Sequence, residues 1–93
     1  MRQYELVAVF PTEEEIFRQG KEAVVAELAR QGAADVKETD IGDRPLAYVI
    51  KKKERGHYIL FTMNLDPQHV TPAEKMFKLN PNLLKYLFVR AED

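Results

Sequence analysis

A chain of 93 residues with 14 Lys and Arg against 15 Asp and Glu, formal net charge −1, has room for a single domain over residues 1–93 and lacks the charge surplus of proteins that bind nucleic acid by charge alone. The absence of cysteine excludes disulfides, thiolate metal sites and a thiol nucleophile. No apolar run nears the roughly 20 residues that span a bilayer and the first residues lack the apolar core of a secretory signal, so the sequence reads as soluble and cytoplasmic.

Residues 3–10 alternate, with Tyr4, Leu6, Ala8 and Phe10 on one side and Glu5, Val7 and Val9 on the other, which is a strand pattern that Pro11 ends. Thr12 followed by Glu15 has the spacing of a capping box, and Glu13, Glu14 and Glu15 suit the positive end of a helix dipole. Ile16, Phe17, Gly20, Ala23, Val24 and Leu28 then recur as one apolar stripe until Gly32 stops the helix. A second strand is expected from about Ala34 to Lys52, kinked at Gly42. A basic hairpin, Lys51-Lys52-Lys53-Glu54-Arg55-Gly56, turns it into a third strand in which Ile59, Phe61, Met63 and Leu65 alternate up to the break at Asp66-Pro67. Thr71-Pro72-Ala73-Glu74 reads as another capping box, opening a short helix that carries Ala73, Met76 and Phe77 inward and closes at Asn80-Pro81-Asn82. Residues 83–90 are rich in β-formers and make a fourth strand.

The order βαββαβ with short connections predicts an α+β, ferredoxin-like fold: a four-stranded antiparallel sheet with both helices on one face. Strand parity puts Leu6, Ala8, Ile59, Phe61 and Met63 under the helices with Phe17, Val24, Leu28 and Phe77. The opposite face then holds Glu5, Val7, Val9, Tyr58, Leu60, Thr62, Lys85, Leu87 and Val89, more apolar than a face meant only for water. On that face Glu5 and Lys85 are expected within salt-bridge reach.

Candidate chemistry is sparse. Lys51, Lys52, Lys53 and Arg55 can neutralise phosphates, although a charged hairpin tip is equally at home as solvated surface. Arg2 and Arg44 can fork onto a phosphate, or simply guard a sheet edge against aggregation. Tyr4, Tyr48, Tyr58 and Tyr86 have the rings that stack on bases, yet strand aromatics more often fill cores. Residues 55–61 brush against the central motif of RRM domains, departing from it at His57, Tyr58 and Ile59. His57 and His69 have no second ligand at a metal-site spacing and read as surface residues. No phosphate loop, nucleophile elbow or catalytic pair of carboxylates is present, so neither an enzyme, a cofactor nor a bound metal is expected.

The opening Met1-Arg2-Gln3-Tyr4-Glu5, the run Gly42-Asp43-Arg44-Pro45-Leu46-Ala47-Tyr48-Val49-Ile50 and the basic turn ending Gly56-His57-Tyr58 together resemble the bacterial small-subunit ribosomal protein six family, over nearly the whole chain. The resemblance implies a non-enzymatic component of the ribosome that binds the central domain of small-subunit ribosomal RNA together with small-subunit ribosomal protein eighteen. Carried over by position, it makes Arg2, Arg44, Lys51, Lys52, Lys53 and Arg55 candidate RNA contacts. The apolar open face, Val7, Val9, Tyr58, Leu60, Leu87 and Val89, becomes the candidate surface for the protein partner. The alternatives are an RRM-like RNA binder and a ferredoxin-like regulatory module for a small ligand.

Overall fold

The computed structural model describes residues 1–91; the acidic pair Glu92 and Asp93 lies outside them. Strand β1 (Arg2–Phe10) leads through helix α1 (Glu14–Arg30) to β2 (Ala34–Ile50) and β3 (Lys53–Leu65), and a 3₁₀ turn (Pro67–His69) leads into α2 (Val70–Leu79) and β4 (Lys85–Arg90). The strands pair antiparallel in the order β2-β3-β1-β4, with both central strands carrying the alternation that the sequence displays. The expected βαββαβ fold is therefore borne out.

The core follows from strand parity. Leu6, Ala8, Phe10, Ile59, Phe61 and Leu65 are sealed on the helix side, where Val24, Leu28, Ala73 and Phe77 close over them. Tyr4, Phe77, Tyr86 and Phe88 add edge-on and tilted ring contacts with centroids 5.4 to 6.1 Å apart, the geometry in which ring edges meet ring faces.

Four local expectations are corrected. Thr12 does not cap α1: Glu13 is the cap residue and contributes no side-chain bond, while the Glu15 carboxylate accepts from Arg18 and Gln19 instead of reaching back. The α2 capping box is also unused, because the chain begins to coil earlier; Asp66 accepts the Gln68 N–H at 3.0 Å with Pro67 at the first position. Thr71 and Pro72 then fall inside the first turn, and the Glu74 carboxylate instead accepts the Tyr86 hydroxyl at 3.0 Å. Met76 points outward from α2, and on α1 it is Glu27, not Ala23, that is buried. Glu27 is tolerated there because Arg30 and Gln31 donate to its two oxygens at 2.8 and 2.7 Å.

Gly42 kinks β2 as expected. Its φ of 97° lies in the left-handed region, and the pairing with β3 slips between Asp40 and Gly42. A second irregularity separates the pairs Pro45↔Arg55 and Ile50↔Lys53, so residues 46–49 bulge from the ladder and the far half of the hairpin forms an arm. Helix-side contacts hold the base of that arm: His57 stacks on Phe17 with centroids 3.9 Å apart and bonds Asp40 at 2.7 Å.

Candidate nucleic-acid interface

The hairpin turn is tighter than the basic run suggests. Ile50 pairs with Lys53, so only Lys51 and Lys52 form the loop, and their φ values of 49° and 64° are those of a type I′ turn. Asn-Gly is the usual pair in such turns; here two lysines hold the strained conformation and stand exposed at the tip. Neither makes an ion pair among the described residues. Lys53 and Arg55 belong to β3 and are engaged: Lys53 donates to both Glu13 oxygens at 3.0 and 2.9 Å, and Arg55 donates to the Asp43 carboxylate at 2.7 Å. Both pairs are well exposed, worth about 1 kcal/mol at most, and open readily to a competing phosphate.

Arg44 pairs across the ladder with Gly56, which puts it on the face without helices, exposed and without a carboxylate partner among the described residues. Arg2 pairs with Leu65, at the opposite end of β3 from the hairpin tip in a molecule 36 Å long. The sequence candidates thus form a hairpin group, Arg44 with Lys51 and Lys52, and a separate Arg2.

The open face can be read row by row from the register. Thr39, Leu60, Val7 and Leu87 lie side by side across the sheet, flanked by the row Tyr58, Val9, Lys85 and the row Lys37, Thr62, Glu5, Val89. Leu87 and Val89 are exposed and Val7, Tyr58 and Leu60 half-buried, making a continuous apolar band. Val9 is the exception: it is 2% exposed and offers nothing to a partner. The cause is the arm, since Leu46 and Val9 converge on the space in front of Gly56. The register also corrects the expected Glu5–Lys85 pair. Glu5 is opposite Val89 while Lys85 is opposite Val9, four residues along β1, and the Lys85 ammonium sits over the Tyr48 ring at 5.4 Å from its centroid.

The tyrosines sort by burial. Tyr4 is core, Tyr86 is committed to Glu74, Tyr58 is half-buried, and Tyr48 alone of the four stands largely in solvent, on the bulged arm. Beside it the arm, the end of α2 and the start of β4 enclose a cleft of about 450 Å³ lined by Tyr48, Lys51, Phe77, Lys78, Lys85 and Tyr86 among others. Lys78 carried no signal in the sequence and Lys85 stood out there only as an expected partner of Glu5, because the sheet order is what brings the β4 start beneath the arm.

Residues 3–90 match the family model described as Ribosomal protein S6. The chain is 47% identical over 93 residues to small ribosomal subunit protein bS6 of Treponema denticola, the match covering 100% of both chains. It is 44% identical over 92 residues to the bS6 protein of Treponema pallidum (strain Nichols), covering 99% of each. Among solved structures, the 30S ribosomal protein S6 from Thermotoga maritima superposes with a TM-score of 0.80 at 23% identity, covering 96% of this chain and 86% of that one. The C-terminal domain of the MgtC protein from Mycobacterium tuberculosis follows the same path at a TM-score of 0.58 and 11% identity, a likeness of fold alone, over 99% of this chain and 89% of that domain. With the family model spanning every strand and both helices, and full-length relatives at this level of identity, the chain belongs to the ribosomal protein S6 family.

Proposed function

We propose that this chain acts in the cytoplasm as a non-enzymatic, architectural constituent of the small ribosomal subunit, binding its RNA jointly with small-subunit ribosomal protein eighteen. Family membership supports the ribosomal part. The joint binding is supported by one arrangement: the cations Arg44, Lys51 and Lys52, which make no ion pair among the described residues, border a face whose centre is the apolar band Leu60, Val7 and Leu87. Few phosphates can be neutralised by so few cations, so affinity must be shared with a second protein seated on the apolar band.

Co-sedimentation tests this reading. Tagged chain in a cell lysate is expected to migrate with small subunits, and Arg44→Ala combined with Lys52→Asn, a residue that suits the left-handed turn, to shift it toward the top of the gradient as salt is raised. A chain that stays at the top at low salt while a small effector changes its melting temperature would support the regulatory-module alternative instead.

A further inference from the structure

We infer that the cleft between the hairpin arm and the start of β4 receives one unstacked nucleotide of the bound RNA, its base on the Tyr48 ring and its flanking phosphates on Lys78 and Lys85. The inference rests on the RNA-binding reading above and adds a position and a mode of contact to it.

Size, charge and surface chemistry each bear on this. The cleft, about 450 Å³, is in the range of small-molecule sites. Its inner wall is apolar, since Phe77 and Leu83 line it and are almost fully buried. In a chain of net charge −1, Lys51, Lys78 and Lys85 line the cleft and no carboxylate does. None of the three makes an ion pair among the described residues, whereas Lys21, Lys53, Arg18, Arg30 and Arg55 are each matched to a carboxylate. Glu74, the acid of α2, is engaged by the Tyr86 hydroxyl.

Tyr48 supplies the base platform. Its ring is 62% exposed on a bulged segment, and the flexible Lys85 ammonium lies over it, 5.4 Å from its centroid. Such a cation rests on an exposed ring weakly and can move to a phosphate when a base takes its place. Stacking on an aromatic with lysines at the backbone is the general mode by which single-stranded RNA is held. An acidic peptide would use the lysines but leave the ring and the apolar wall unsatisfied.

The test uses the full chain with a hexa-adenylate, with AMP and with hexaglutamate, followed by the central-domain RNA fragment. Tyr48→Leu is expected to weaken hexa-adenylate binding roughly tenfold. Lys78→Ala with Lys85→Ala should flatten the dependence of log K on log salt by roughly 1.4. Ultraviolet crosslinks from the bound RNA fragment should map to Tyr48. Melting at the parent temperature verifies that each variant is folded. If the parent binds the RNA fragment, both variants bind it equally well and no crosslink reaches Tyr48, the cleft assignment is overturned while RNA binding survives. If the parent fails to bind the fragment even with small-subunit ribosomal protein eighteen present, both readings fall. Hexaglutamate binding that exceeds hexa-adenylate and ignores Tyr48→Leu would make the cleft a protein-docking anion site, and AMP binding as tight as the hexamer would make it a free-nucleotide site; either contradicts the assignment.

Discussion

At Gly56 the missing side chain decides how the arm meets the sheet. A Cβ there would lie 2.4 Å from Val9 Cγ1 and 3.2 Å from Leu46 Cδ2, and Val9 is itself buried, so neither neighbour can retreat into solvent without opening the contact. Gly56→Ala is therefore expected to cost about 1–3 kcal/mol, the range for overpacking, read from the urea midpoint. An unchanged midpoint would mean that the arm is not held against β1. Tyr86 gives a second prediction at this scale. Burial, and then its bond to Glu74, raises the phenol above its ordinary range. The folded state thus keeps its proton longer than the unfolded chain, and stability present below pH about 10, the unperturbed tyrosine value, is lost as pH climbs from there through the folded value. Tyr86→Phe should flatten that alkaline limb; an identical limb in the variant would assign the loss to other groups. In the sequence Tyr86 is simply one of four tyrosines, and only its opposition to Ala8 and its nearness to α2 distinguish it.

Among the elements, the hairpin and the central strands behave differently. The β2–β3 turn places Lys52 at φ 64°, where a β-carbon is unfavourable and glycine is not. Lys52→Gly is expected to stabilise the chain by about 0.5–1 kcal/mol while removing a cation from the tip, so stability and RNA affinity should move in opposite directions. Denaturant unfolding and RNA titration of the same variant check both signs. In β3, Phe61 is wholly buried between Leu6 and the helices, and Phe61→Ala should cost about 3–5 kcal/mol by loss of transfer energy and the cavity left. That placement was legible in the sequence, because one-residue alternation in β1 and β3 leaves a single parity that buries Phe61. The helix starts were not: Thr12–Glu15 and Thr71–Glu74 have capping spacing, but Arg18 and Tyr86 compete for those carboxylates and Asp66 begins the coil first. Spacing along the chain records which bonds are possible and not which partner arrives.

For the whole molecule, net charge and surface pattern point to shared rather than solitary RNA binding. The fold and the open face were readable because the alternation of the central strands β1 and β3 fixes the two faces of the sheet, but the loss of Val9 from the open face required the bulge at residues 46–49, which no local pattern announces. The register likewise separated Glu5 from Lys85, since parity gives the face and not the position along it. The proposed account is tested most directly by titrating the central-domain RNA fragment with this chain, with and without small-subunit ribosomal protein eighteen, for the parent and for Leu87→Glu. The parent alone should bind weakly with a shallow salt slope, and the partner should tighten it by about 1–3 kcal/mol, the usual size of coupling between linked sites. Leu87→Glu, which charges the exposed end of the apolar row, should abolish that gain with little effect on the weak binding of the chain alone. Tight, specific binding by the chain alone, unmoved by the partner and by Leu87→Glu, would contradict it.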